Sequence, residues 1–229
     1  MLTQTIQTGS SRQAAGRQSY RIPVPASHAL TGPIEMMGAP MSFARNAEIY
    51  GEGEPADYLY KVVRGAVRTS KILADGRRQI GAFYVPGDVF GIEAADHHTF
   101  SGEAIVESKV LVIKRSALVG RAARDNDVAR QLWALTGREL ARVQDHVLLL
   151  IKTAQERVAG FLLEMADRLP NGDAVELSMS RRDIADYLGL TIETVSRTLT
   201  GLESAATIAL PSSRLVVLRN RAALRQMNA

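Results

Sequence analysis

The sequence predicts an α+β chain: a β-barrel of jelly-roll type, a long helix, and a C-terminal winged helix-turn-helix. Three observations predict it. Between Ala47 and Lys114, short runs rich in Val and Tyr are punctuated by glycine. From Asn126 to Leu169 there is no proline, and apolar residues recur at helical spacing. From Ser180 to Leu202, two helix-capping signals flank a single Gly189.

The strand region comes first, over residues 31–124. "YLYKVVRGAVRTSKIL" (Tyr58 to Leu73) alternates, Asp75-Gly76 supplies a turn, and "QIGAFYV" resumes the pattern. Asp-Gly between two such runs is a strong hairpin signal, because Gly takes positive φ without a steric penalty. "PGDVFG" (Pro86 to Gly91) marks another tight turn, and "AIVESKVLVIKR" closes the set. Short strands at this spacing indicate a sandwich or barrel. Ahead of them, residues 1–30 carry three Arg and no acid amid Gln, Ser and Thr, and read as a disordered leader.

At Ser116 the period changes, and residues 125–169 read as one dimerisation helix. Leu140, Val143, Val147, Leu150 and Ala154 recur at intervals of 3, 4, 3 and 4, the stripe of a coiled-coil seam. One helix could lay such a stripe on its own barrel. The run is too long, and too apolar at "VLLLI", for that alone, so Leu140, Val143, Val147 and Leu150 are read as a homodimer interface. "RLPNGDAVEL" then breaks the helix and opens a third unit, 170–229.

Composition narrows the function classes. There is no cysteine, which excludes disulfides, thiolate metal sites and Cys catalysis. The longest aliphatic run, Val147 to Ile151, is far short of the ~20 residues a membrane span needs. No apolar signal segment follows the N-terminus, which fits a cytoplasmic protein. Charge is unevenly placed. Residues 178–229 hold seven Arg against four acids, whereas residues 41–177 hold 18 basic and 19 acidic residues. The basic C-terminal part points to a polyanion partner.

Ser180 followed by Asp183 forms a capping box that starts a helix, and Ile184, Ala185 and Leu188 give it one apolar face. Gly189 makes the turn, and Thr191 caps a second helix whose apolar face is Val195, Leu199 and Leu202. Two helices crossing through so short a turn are a helix-turn-helix, and the strand pair in "ATIALPSSRLVVLRN" makes it winged. Glu193, Ser196 and Arg197 share the exposed side of the second helix. Arg can bond guanine O6 and N7, Glu can accept from cytosine N4, and Ser can reach a base or phosphate. The same spacing also allows a Glu193–Arg197 ion pair.

Over nearly its whole length the chain resembles the Crp/Fnr family of transcription regulators. "DIADYLGLTIETVSR" resembles the family helix-turn-helix. The series Gly65, Asp75, Gly76, Pro86, Gly87, Asp88 and Gly91 resembles its cyclic-nucleotide-binding barrel. The resemblance implies a double-stranded DNA partner, RNA polymerase, and TTGA half-sites read by the E-x-x-S-R form at Glu193, Ser196 and Arg197. It also implies backbone contacts from Ser180, Arg181, Thr191 and Thr194. Thr198 departs from the family, which usually carries an aliphatic residue there.

The barrel departs further. Cyclic-nucleotide binders resembling it carry Gly-Glu after the PGD turn and Arg-Ser or Arg-Thr about ten residues later. Here these read Gly91-Ile92 and Gly102-Glu103, and an acid at the phosphate position repels the ligand. His97 and His98 with Glu93, Asp96 and Glu103 form the one metal-like cluster, which admits a cupin-like metalloenzyme. Adjacent His residues tend to point apart, however, and an enzyme would not need residues 179–219. What remains resembles the FixK-like branch: a cofactor-free activator, not an enzyme, controlling microoxic respiration and nitrogen-fixation genes. An unidentified small-molecule effector in the barrel is the alternative.

Overall fold

The computed structural model describes residues 34–169 and 172–228, so the leader expected over 1–30 lies outside the described residues. Eight strands build the N-terminal part: β1 (Ala39–Phe43), β2 (Glu48–Tyr50), β3 (Tyr58–Arg64), β4 (Val67–Ile72), β5 (Arg78–Tyr84), β6 (Val89–Phe90), β7 (Ser101–Ala104) and β8 (Ser108–Lys114). They form two four-stranded antiparallel sheets, ordered β1-β8-β3-β6 and β2-β7-β4-β5. The Asp75-Gly76 turn joins β4 to β5 in register from Ile72 opposite Arg78 to Val67 opposite Tyr84, with one bulge at Thr69/Ser70.

The run Tyr58 to Leu73, continuous in its alternation, is divided between the two sheets. Gly65 makes the crossing at φ +90°. A Cβ there would stand 2.3 Å from Ser108 Oγ, which accepts from the Ala66 N–H at 3.1 Å and seals the corner. Alternation records which face a residue meets, not which sheet, so it could not show this switch. Inside the barrel, a group of aromatic rings packs among buried aliphatic residues such as Val62, Val67 and Val110. Tyr50 stacks on His98 at 3.7 Å between centroids and on Tyr60 at 5.1 Å, and Tyr60 stacks on Phe90 at 5.1 Å.

Three helices follow: α1 (Arg115–Ala122), α2 (Asn126–Leu150) and α3 (Ala154–Arg168). The single helix expected over 125–169 is therefore two. At the break, the Thr153 hydroxyl accepts from the Glu156 N–H and the Glu156 carboxylate accepts from the Thr153 N–H. This capping box starts α3 afresh. Its signature, T-x-x-E, stands in the sequence, but apolar periodicity running across it hid the boundary. Ala154, placed on the seam, is instead the first residue of α3.

The remainder is β9 (Ala174–Glu176), α4 (Arg181–Leu188), α5 (Ile192–Ser204), β10 (Ile208–Ala209), β11 (Leu215–Leu218) and α6 (Arg221–Met227). The wing hairpin β10–β11 gains β9 as a third strand, in the order β10-β11-β9. β9 was not anticipated because its three residues sit in a stretch that reads as a break. The core of this part runs through Val158, Phe161, Leu162 and Met165 of α3, Ile184 and Leu188 of α4, and Val195, Leu199 and Leu202 of α5. The same cluster continues into Ile80 and Phe83 of the barrel, so the two parts share one hydrophobic core.

Candidate nucleic-acid interface

The helix-turn-helix is assembled by short-range hydrogen bonds that the sequence encodes. Ser180 Oγ accepts from the Asp183 N–H at 3.1 Å and donates to Asp183 Oδ2 at 2.8 Å, fixing the start of α4. Gly189 ends α4 at φ +62°, a conformation that costs other residues more. Thr191 Oγ1 accepts from the Thr194 N–H at 3.2 Å and caps α5. Val195, Leu199 and Leu202 are then buried, which fixes the opposite side of α5 outward.

On that outward side Glu193 and Arg197 are exposed and Ser196 is half-buried. The Glu193–Arg197 ion pair that the spacing allows is not formed, so both side chains are free to meet a partner. Thr191 is exposed, while Thr194 and Arg181 are half-buried. The Thr191 and Thr194 hydroxyls lie 3.0 Å apart, and sharing one proton leaves a second to donate outward. Ser180 differs: its single hydroxyl proton is committed to Asp183, so a phosphate near it would meet backbone N–H groups of the first turn of α4.

The electrostatics follow from how the charges are paired. Arg221 is bound to Asp167 and Asp173, and Arg214 donates to the Ser178 carbonyl at 2.6 Å. Among the described residues, Arg181, Arg182, Arg197 and Arg219 carry no ion pair. The two acids of α4 face the barrel instead. Asp183 accepts from Arg68 at 3.1 Å and Arg78 at 2.7 Å, and Asp186 accepts from Arg78 at 2.8 Å. Burial pushes the Asp183 carboxyl up, but bonds from Ser180 and the charges of Arg68 and Arg78 outweigh it and hold it below the usual range. Barrel arginines thus neutralise the acids of α4 and leave its outer surface positive.

Along α2, Leu140, Val143 and Val147 are exposed at 59%, 57% and 56%. Leu150 is half-buried and turned toward Gly189, and Ile151 continues the open row at 79% exposure. Trp133, exposed at 83%, begins the row one heptad before Leu140. Sequence reading missed both Trp133 and Ile151, although the seven-residue interval to Leu140 was available as a signal.

In the barrel, His97 is exposed and His98 buried, so the adjacent pair points apart. Glu103 is engaged by Arg68 Nε at 2.8 Å. Among the described residues, no group of three or more His, Asp or Glu is placed to hold a metal ion. Burial lowers the His98 pKa, despite Glu93 at 3.7 Å, and favours the neutral ring stacked on Tyr50. No helix among the described residues is long and apolar enough to cross a membrane.

Comparison with known proteins agrees with this geometry. The Crp-like helix-turn-helix domain matches residues 156–227, and the cyclic nucleotide-binding domain matches residues 40–125. The chain is 53% identical to the nitrogen fixation regulation protein FixK of Azorhizobium caulinodans over 202 residues, covering 86% of this chain and 82% of that one. It is 41% identical to the protein of the same name from Rhizobium meliloti over 199 residues, 86% of this chain and 91% of that one. Among solved structures, FixK2 from Bradyrhizobium japonicum superposes with a TM-score of 0.81 at 53% identity, covering 84% of this chain and 98% of that chain.

Proposed function

Because the chain belongs to the Crp/Fnr family of transcription regulators, within its FixK branch, we propose that two copies bind one palindromic DNA site with TTGA-type half-sites and activate transcription. Membership makes the chain a DNA-binding regulator and not an enzyme. The regulated genes are those of nitrogen fixation and microoxic respiration, and the complex works in the cytoplasm with RNA polymerase as the partner that responds.

The observation that carries the reading is the row of exposed, unpaired Glu193 and Arg197 with half-buried Ser196 between them, on a helix otherwise fixed by its core. Arg197 takes the guanine of TTGA, Glu193 the cytosine opposite it, and Ser196 the thymine side. Arg181, Thr191 and Thr194 hold backbone phosphates on either flank, and Ser180 contributes through the cap it forms. A half-site of four base pairs is too short for selectivity, so a second copy joins along Leu140, Val143 and Val147, with Leu150 at the edge of that contact. Barrel filling by Tyr50, Tyr60, Phe90 and His98 supports action without an effector.

The test is a binding titration of the purified chain, with no added ligand, on a TTGA palindrome and on the same DNA with both half-sites scrambled. Selective binding of the palindrome is expected at physiological salt. Equal affinity for the two DNAs would overturn the assignment.

A further inference from the structure

The barrel does more than cap the molecule: together with α2 and α3 it holds α4 in place. Tyr187 of α4 is buried against Phe83 of β5, with centroids 5.1 Å apart, and stacked on His146 of α2 at 4.0 Å. His146 Nε2 donates to the Tyr187 carbonyl at 2.9 Å, and Arg157 of α3 donates to the Leu188 carbonyl at 2.8 Å. That is the apolar half of the joint, and it resembles a pivot.

The other half is ionic. Glu103 on β7 binds Arg68 on β4, Arg68 binds Asp183, Asp183 binds Arg78 on β5, and Arg78 binds Asp186. Side by side with this chain of charges is a cleft of about 660 Å³ between the β4–β5 turn and the start of α5. Across it, Arg68 and Arg78 bind the two acids, and Gln79 Nε2 donates to the Tyr187 carbonyl at 3.5 Å. Opposite charges this close, held by several bonds and partly shielded from water, give a directional strut rather than a loose surface pair.

We propose that Arg68, Arg78 and Asp186 are positioning residues that set the orientation of the DNA-reading helix α5 relative to the barrel. Asp183 serves the same strut while capping α4. The inference rests on the assignment of α5 as the reading helix. In this arrangement Glu193 and Arg197 remain exposed, so the strut holds a form open to DNA. If each barrel is fixed to its partner copy along α2, the strut in each protomer fixes the separation of the two reading helices. It therefore controls which half-site spacing is accepted.

Two measurements on the full chain test this, using Arg78→Gln, Asp186→Asn, the double variant and Arg78→Lys. Asp183 is left intact because its loss would also remove the cap. The first compares affinity for the best-spaced palindrome, for palindromes one base pair longer or shorter, and for a single half-site. Arg78→Gln and Asp186→Asn should each weaken the best-spaced site about tenfold, within the usual range of coupling between sites. They should also shrink the penalty for altered spacing and leave half-site affinity and base preference unchanged. The double variant should be no worse than either single one, since both break the same link. Arg78→Lys should restore part of the spacing preference.

The second measurement does not depend on DNA. The chain has no cysteine, so spin labels at Lys109→Cys and Thr200→Cys, diluted into unlabelled chain, report the distance between barrel and α5. A narrow distribution that broadens in Arg78→Gln is expected. An unchanged distribution overturns the strut. So does an equal loss on half-site and palindrome with the spacing penalty intact, or tighter binding by Arg78→Gln, which would make the contact a brake. Failure of the unmodified chain to select TTGA palindromes would count against the proposed function instead, and the label distances would still decide the strut.

Discussion

Arg197 and Arg181 are the same residue type on the same surface, yet they are assigned different work. Arg197 projects from the middle of the exposed face of α5, where only base edges are in reach once a helix enters the major groove. Arg181 stands at the first turn of α4, which under the proposed docking would cross the sugar-phosphate backbone. Loss of a bidentate guanine contact removes ~1–3 kcal/mol of discrimination, so Arg197→Ala should weaken specific binding roughly ten- to a hundredfold. It should also flatten preference at the guanine and leave the salt dependence nearly unchanged. Arg181→Ala should weaken all sequences alike and lower the salt slope by about one. Titrations on single-base variants at two salt concentrations separate these outcomes, and an equal loss on every sequence would make Arg197 a backbone anchor. These residues were legible in the sequence because caps and turns are local: Ser180, Asp183, Gly189 and Thr191 announce two helices, and the outward side of the second follows from its period. The pairing of Asp183 and Asp186 with Arg68 and Arg78 was not legible. Partners more than a hundred positions apart leave no local pattern, and on sequence alone Asp183 was explained by its cap.

Among the elements, α2 shows what a periodic pattern establishes and where it stops. The stripe at Leu140, Val143 and Val147 is open to solvent in the single chain. A row of large apolar side chains facing water is costly unless another surface covers it. The row also extends to Trp133 and Ile151 at its two ends, further than the sequence reading carried it, and Trp is among the residues that most often anchor an interface. Replacing Val143 and Val147 together with Glu should give monomers in sedimentation and reduce palindrome affinity to that of a half-site. A variant that stayed dimeric would place the interface elsewhere. The period did not show the break at Thr153, since α2 and α3 are both apolar on one side and the stripe runs through the junction almost in phase. The junction matters because α3 belongs to the core beneath α4 and α5, so the element proposed to join two copies is directly followed by the one that α5 packs against.

At the scale of the whole molecule, the question is what the barrel contributes when its fold is that of a ligand-binding domain. A ligand shifts a conformational equilibrium only by as much as it prefers one state over the other. For a cyclic nucleotide that preference needs space for the base and ribose and a cation for the phosphate. The interior instead holds Tyr50, Tyr60, Phe90 and His98 in ring contact, and the Tyr50 ring lies against Gly102 so closely that an added Cβ there would be 2.8 Å away. Glu103 offers a negative charge, and Arg68, the nearest cation to it, is already committed to Glu103 and Asp183. The pair that spans the barrel wall is thus also the beginning of the link to α4, so the connection a ligand could create is built from side chains. On that basis cAMP and cGMP should neither raise the melting temperature of the chain nor tighten its binding to a TTGA palindrome. Calorimetric titration with each nucleotide checks this, and a dissociation constant in the micromolar range would show that the aromatic filling yields to a ligand and that the barrel senses after all.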